Sequence, residues 1–142
     1  MQQCIIATER VFNTLNDPNE VIEVENPKPF PTDWQSIEFK NVSFQYKDAV
    51  ILDNLSITIP RGSAIALIGE SGSGKSTIIN LLMRFFEPNQ GEIFIGGTSI
   101  KDFALEDLRK QIALVSQDTF LFNESVAQNI RYGDLDQDKD PV

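Results

Sequence analysis

The sequence predicts an α/β fold, and three observations indicate it. Two continuous apolar runs, at 64–68 and 112–116, are typical of strands covered on both faces, as in a parallel sheet. A glycine-rich turn follows the first run, and an amphipathic helix follows that turn. Alternating apolar residues within 36–59 add half-buried strands upstream. With 142 residues, the chain has the length of about one domain.

Two segments precede this predicted domain. Residues 1–16 carry apolar side chains at helical spacing, and we predict a short helix there. It either packs on its own domain or continues a longer helix from an upstream membrane domain. Residues 17–35 are interpreted as a linker, because prolines at 27, 29 and 31 exclude a helix and favour an extended chain.

The predicted domain covers 36–142 and begins with strands. Apolar residues alternate over 37–46, except for a slip in phase near Asn41 that indicates a β-bulge. A half-buried strand is predicted over 55–59, before a turn at 60–62. The other predicted elements are helices over 77–86, 104–110 and 124–131, strands over 64–68, 92–95 and 112–116, and a fraying acidic tail at 134–140.

Composition excludes several classes of function. Twelve basic and 21 acidic residues give a net charge of -9, which repels phosphate backbones and argues against generic nucleic-acid binding. The chain has no histidine, so hydrolytic mechanisms that need an imidazole base are excluded. Its one cysteine, Cys4, cannot form an internal disulfide or a zinc site with histidine. No apolar run reaches the roughly 18–20 residues that span a bilayer, so we expect the chain itself to be soluble in the sense that it does not cross a membrane.

The glycine-rich turn carries the strongest functional signal. It reads Gly69-Glu70-Ser71-Gly72-Ser73-Gly74-Lys75-Ser76-Thr77, which satisfies G-x-x-x-x-G-K-[ST] in full. By chance the pattern would occur in roughly one sequence of this length in two hundred. Its position between a predicted buried strand and a helix is the context that this phosphate-binding loop requires.

The residue types in this loop suit a nucleoside triphosphate. The three glycines are expected to take positive φ and let backbone N–H groups approach an anion. Lys75 is predicted to reach the β- and γ-phosphates, and the Ser76 hydroxyl to coordinate Mg²⁺. Thr77 is placed for an α-phosphate contact, and the helix N-terminus adds its positive dipole.

Together with this loop, several stretches resemble the ATP-binding domain of ABC transporters of the exporter type. The loop resembles the Walker A motif of that family, and the similarity runs from about 36 to 133. The resemblance implies a P-loop NTPase (RecA-like) core with an antiparallel β subdomain. Further stretches that carry it are NVSFQY, LDNLSITIPRGSAIALIG, PNQGEIFIGG, LEDLRKQIALVSQ and NESVAQNIRYG.

The resemblance also implies roles for residues outside the loop. Tyr46 matches the aromatic residue that stacks on adenine, a contact that is indifferent to the base. Ile51 is a candidate apolar floor beneath the base. Gln117 matches the glutamine that senses Mg²⁺ and the attacking water and couples the site to the membrane domain. Without the loop, each of the three would be interpreted as an ordinary core or loop residue.

The sequence departs from the family pattern after Gln117. The Leu-Ser-Gly-Gly-Gln-like signature, the Walker B aspartate, the catalytic glutamate and the switch histidine are all missing, so we expect the domain to be incomplete at its C-terminus. We therefore predict no appreciable ATP hydrolysis by this chain alone. The run Ala49–Asp53 mimics Walker B, but it precedes the loop, and Asp53 is interpreted as a turn residue. Uncovered, apolar sheet edges are expected to make the isolated chain either poorly soluble or prone to association.

In the family, a second ATP-binding domain supplies the signature motif, and a membrane-spanning domain receives the motion. The resemblance implies both partners, with the domain on the cytoplasmic side of a membrane. Two alternatives stay open: a stand-alone, non-catalytic nucleotide-binding module, and another P-loop protein such as a nucleotide kinase. A kinase would require an arginine-bearing lid, and the sequence offers none.

Overall fold

The computed structural model describes residues 21, 23–116 and 120–132. The chain divides after Ile112 into two compact units, residues 1–112 and 113–142. The predicted helix over 1–16 and the predicted tail at 134–140 lie outside the described residues. None of the helices in the described ranges has the length and apolar character needed to span a bilayer.

The first unit contains a four-stranded antiparallel sheet. Its strands are β1 (Ser36–Tyr46), β2 (Ala49–Pro60), β3 (Gln90–Ile95) and β4 (Thr98–Ser99), in the spatial order β2-β1-β3-β4. Each neighbouring pair runs antiparallel. The strands predicted over 37–46, 55–59 and 92–95 are confirmed, although β2 begins six residues earlier than expected.

The predicted bulge in β1 is confirmed. The register of β1 against β2 shifts between Phe39 and Val42, and Asn41 has φ of +52°. Asparagine tolerates this left-handed conformation better than most residues. The Asn41 side-chain amide donates to Asn54 Oδ1 at 2.9 Å, and Asn54 in β2 also has a positive φ, of +51°. The two irregular points therefore face each other and are joined by a hydrogen bond.

The helices are shorter than the apolar pattern predicts. Those within the described residues are α1 (Lys75–Leu82), a 3₁₀ turn (Ile100–Asp102), α2 (Leu105–Lys110) and, in the second unit, α3 (Val126–Arg131). The α3 helix begins with a capping box, in which Ser125 Oγ accepts from the Gln128 N–H and the Gln128 side chain accepts from the Ser125 N–H. The α1 helix stops four residues before the predicted end.

Arg84 ends α1. It has φ of +51°, which a helix cannot continue, and its side chain is 2% exposed. Its Nη1 donates to the carbonyl oxygens of Ile100 and Phe103, both at 3.2 Å, and its Nη2 pairs with Glu87 at 3.2 Å. These hydrogen bonds offset the cost of the strained backbone and of burying a charge.

Arg109 of α2 makes the reciprocal connection. Its Nε donates to the Met83 carbonyl at 3.1 Å, and its Nη2 donates to the Arg84 carbonyl at 2.9 Å. Two arginines thus satisfy backbone carbonyls on each other's segments. The end of α1 is fixed against the segment from the 3₁₀ turn to α2.

The core of the first unit lies between the sheet and these helices. Its buried apolar residues are Phe39, Val42, Phe44, Leu52, Leu81, Ile93, Ile95, Ile100, Phe103 and Leu108. They come from β1, β2, β3, α1 and α2, as well as from the 3₁₀ turn and the residue that follows it. One core therefore joins the antiparallel sheet to the helix that follows the glycine-rich loop.

Part of the segment predicted to be a linker contacts this core. The Lys28 N–H donates to the Asp102 carbonyl at 2.8 Å, and the Lys28 ammonium pairs with the Asp102 carboxylate, also at 2.8 Å. The Phe30 ring packs on the Phe103 ring with centroids 5.2 Å apart. The described part of the predicted linker, residues 21 and 23–35, contains no helix, as the prolines predict.

The predicted buried strands over 64–68 and 112–116 are wrong. Neither segment forms a strand, and Ile68 and Val115 are 94% and 92% exposed. An apolar run marks a segment that suits burial on both faces, but a strand exists only where a neighbouring strand supplies its hydrogen bonds. Among the described residues, none pairs with either segment.

Candidate functional site

The glycine-rich loop leads directly into α1. Gly72 and Gly74 have φ of +85° and +89°, as predicted, and Gly74 is the residue before the first helical turn. The expectation of a positive φ at Gly69 is wrong. A Cβ at Gly69 would come within 2.6 Å of Ser73 Oγ, so a larger residue there would require the Ser73 side chain to move.

Gly74 also packs against the sheet. A Cβ there would lie 2.8 Å from Leu52 Cδ2 and 3.1 Å from Ile51 Cγ2. Leu52 belongs to the core and Ile51 is half-buried, both in β2. The structure therefore brings Ile51 beside the end of the loop. Its suggested role beneath a base stays a prediction.

Lys75 is held over the loop. Its ammonium donates to the carbonyl oxygens of Gly69 at 2.9 Å and Glu70 at 2.6 Å, and to Ser73 Oγ at 3.3 Å. All three partners are uncharged, so the positive charge of Lys75 stays available to an anion at the loop. A triphosphate would exchange these neutral acceptors for charged ones, which form stronger hydrogen bonds.

The first turn of α1 favours an anion for a second reason. It carries no acidic side chain, and Gly74 offers no side-chain cap to the first N–H groups. The Ser76 hydroxyl is exposed, whereas Thr77 is buried. The glycine cradle, the lysine and the exposed hydroxyl together fit a phosphate group with a metal ion bound to it.

Tyr46 ends β1 and is 36% exposed. Its ring makes T-shaped contacts with two phenylalanines, Phe44 at 4.7 Å and Phe86 at 5.1 Å between centroids. The remaining exposed part of the ring is available to a flat ligand. Sequence reasoning did not assign any role to Phe44 or Phe86, and the only signal was their apolar character.

Two other predicted residues are placed differently. Gln117 lies outside the described residues, so its role stays a prediction. Asp53 is not a turn residue, because it lies within β2 beside the irregular Asn54 and is exposed. Within residues 21, 23–116 and 120–132, no group of histidine, cysteine and acidic side chains could hold a metal ion.

Comparison with known proteins agrees with this geometry. Residues 52–141 match the family model described as "ABC transporter". An uncharacterized ABC transporter ATP-binding protein of Bacillus subtilis is 45% identical over 137 residues, which cover 96% of this chain and 23% of that protein. A mitochondrial iron-sulfur clusters transporter of Neurospora crassa is 44% identical over 95% of this chain and 19% of its own length.

A solved structure gives the same result. A bacterial Atm1-family ABC exporter with ATP bound superimposes with a TM-score of 0.81 and 38% identity, over 93% of this chain and 24% of that one. This chain thus spans about a fifth to a quarter of the length of the relatives it matches.

Proposed function

This chain belongs to the ABC transporter family, and from that premise we propose that it binds the triphosphate of ATP in the loop at 69–77. The single observation that carries the proposal is the buried, left-handed Gly74 between the loop and α1, with the Lys75 ammonium held directly above the loop carbonyls. This arrangement concentrates backbone donors, a helix dipole and one cation at a single point.

Each residue has its own proposed part. Lys75 binds the β- and γ-phosphates, Ser76 coordinates Mg²⁺, and Thr77 contacts the α-phosphate. The residues of the loop that surround the phosphates are Gly69, Glu70, Ser71, Gly72, Ser73 and Gly74. Gln117 is proposed as the second protein ligand of Mg²⁺. When bound, the metal ion neutralises charge on the phosphates.

Tyr46 is proposed to stack on adenine, with Ile51 beneath the base. The partly exposed ring at the end of β1 and the contact of Ile51 with the loop support this assignment. Stacking does not distinguish one base from another, so we expect ATP and GTP to bind with similar affinities.

We propose that the chain is part of a transporter that couples ATP hydrolysis to export across a membrane. The chain then requires two partners, a membrane-spanning domain and a second ATP-binding domain that supplies the signature motif, and it lies on the cytoplasmic side. Because its own sequence lacks the Walker B aspartate, the catalytic glutamate and the switch histidine, we propose that the chain alone binds ATP without hydrolysing it.

Equilibrium titration with a fluorescent ATP analogue and Mg²⁺ tests the binding site. Loss of charge-assisted hydrogen bonds predicts that Lys75→Ala weakens binding about 10- to 150-fold. Loss of stacking predicts that Tyr46→Ala weakens it about 5- to 150-fold. Lys110→Ala, which removes one positive charge from α2, is the matched control and should have little effect. Indifference to the changes at Lys75 and Tyr46 would remove the proposed site.

Phosphate release tests the catalytic part of the proposal. The chain with Mg²⁺ and ATP should release no phosphate above the background rate. A steady turnover that disappears in Lys75→Ala would contradict the expected lack of hydrolysis. It would leave the proposed binding site intact, since the two measurements are independent.

A further inference from the structure

We propose that Phe86 is a positioning residue for nucleotide binding: its ring holds Tyr46 at a fixed place relative to the phosphate-binding loop. This inference rests on the proposed stacking role of Tyr46. Phe86 would touch no ligand itself, but it would set the distance between the base site and the phosphate site.

Three aromatic rings form a closed group at the end of β1. Tyr46 lies perpendicular to both Phe44 and Phe86, with an interplanar angle of 89° in each case. Phe44 and Phe86 also contact each other, with centroids 5.7 Å apart. Perpendicular packing is a preferred geometry for aromatic pairs, so two such contacts restrict the rotation of the Tyr46 ring.

Phe86 is itself held in place by the backbone on both sides. Two residues earlier, Arg84 turns the chain out of α1 through its left-handed backbone and buried guanidinium. Three residues later, Asn89 is attached to β1 twice. Its N–H donates to the Ser43 carbonyl at 3.0 Å, and its Oδ1 accepts from the Gln45 N–H at 2.9 Å. The backbone on both sides of Phe86 is therefore attached to the rest of the first unit.

The same stretch of chain carries the phosphate site. Lys75 begins α1, and Phe86 follows four residues after its last residue, Leu82. One helix thus connects the ammonium that binds phosphate to the ring that supports Tyr46. The contact of Gly74 with Ile51 is a second connection between the loop and the same hairpin. The base site and the phosphate site are joined at both ends of the helix.

The neighbouring Phe85 provides a matched control. Its ring is 43% exposed and lies under the Arg109 guanidinium, 5.0 Å from the ring centroid. The two adjacent phenylalanines have different partners: Phe86 packs on Phe44 and Tyr46, and Phe85 contacts an arginine of α2.

The test compares two ligands of the full chain, Mg-ATP and inorganic triphosphate with Mg²⁺. Phe86→Leu keeps the position apolar but removes the ring, and we expect it to weaken ATP binding about 2- to 12-fold, as loss of an aromatic pair predicts. Inorganic triphosphate has no base, so it should bind to Phe86→Leu as well as it binds to the unmodified chain. Phe85→Leu should leave both affinities unchanged, and Phe86→Tyr, which restores a ring, should recover ATP affinity to within about two-fold.

A double variant distinguishes positioning from a general loss of structure. If Phe86 acts through Tyr46, Tyr46→Ala combined with Phe86→Leu should bind ATP no more weakly than Tyr46→Ala alone. Circular dichroism and thermal melting check that each variant folds, and Phe86→Met replaces Phe86→Leu if the latter does not.

Three results overturn the inference: unchanged ATP affinity in Phe86→Leu, an equal loss for triphosphate, or additive losses in the double variant. A failure of the proposed function gives a different pattern, because the unmodified chain would then bind neither ligand, or would bind ATP no differently after Tyr46→Ala.

Discussion

Replacing Gly74 by alanine is the most direct test of the architecture of the loop. The backbone there has φ of +89°, a conformation that costs an L-residue about 1–2 kcal/mol. The new methyl group would also lie 2.8 Å from Leu52 Cδ2, inside a well-packed core. Overpacking of this kind costs about 1–3 kcal/mol. We therefore expect Gly74→Ala to lower the free energy of unfolding by about 2–5 kcal/mol, a large part of a typical domain's stability.

Gly72 is the matched control for this substitution. It lies in the same loop with φ of +85°, but a Cβ there would have nothing within 4 Å. Gly72→Ala should therefore show the backbone cost alone, about 1–2 kcal/mol. The difference between the two variants isolates the contact between the loop and β2.

Urea denaturation followed by tryptophan fluorescence measures both variants. The chain has one tryptophan, Trp34, which is half-buried in the first unit and lies under the Arg61 guanidinium, 5.1 Å from the ring centroid. Its emission should change when the first unit unfolds. If Gly72→Ala proved as destabilising as Gly74→Ala, the loop would not pack on β2 as described.

Three further predictions concern stability, pH and association. Arg84→Leu should lower the free energy of unfolding by about 2–4 kcal/mol in the same urea assay, because the carbonyls of Ile100 and Phe103 would lose a charged donor. A decrease below about 0.5 kcal/mol, which is the range of ordinary surface substitutions, would contradict this prediction. The hydrogen bond and charge of Lys110 lower the pKa of Glu106 below its usual value of 4.5. The pair therefore stabilises the fold at pH values above 4.5, and this stabilisation is lost as the pH falls through the lowered pKa. Glu106→Gln should therefore make the melting temperature less sensitive to acid between pH 5 and the lowered pKa. If the melting temperature of the variant depended on pH as that of the unmodified chain does, the pair would be excluded as a cause of the acid sensitivity. Ile68→Lys should reduce both light scattering by the protein and its binding of an apolar dye, because Ile68 is almost fully exposed. Ser63→Lys is the control, since it adds the same charge at an exposed position without removing apolar surface. It should change light scattering and dye binding less than Ile68→Lys does.

The strands of the antiparallel sheet could be predicted because their signals are local. Apolar residues alternate along β1, and the slip in phase at Asn41 locates the bulge to within a residue. The phosphate-binding loop is equally local, since nine consecutive residues specify its glycines, its lysine and the start of α1. In both cases, neighbouring residues determine the conformation.

The end of α1 could not be predicted in this way. The apolar pattern continues through Phe86, but Arg84 leaves the helix because its guanidinium satisfies carbonyls sixteen and nineteen residues away. The contact between Phe86 and Tyr46 is also tertiary, and no spacing in the sequence indicates it. The apolar runs at 64–68 and 112–116 failed for a related reason: composition describes how well a segment suits burial, and pairing depends on other strands.

The attachment of Lys28 to the first unit has a structural consequence. Both the backbone N–H and the ammonium of Lys28 bind Asp102. Phe103, the residue after Asp102, accepts a hydrogen bond from Arg84, which lies two residues beyond the end of α1. A continuous series of hydrogen bonds and chain neighbours therefore connects Lys28 to the C-terminal end of the helix that begins at Lys75.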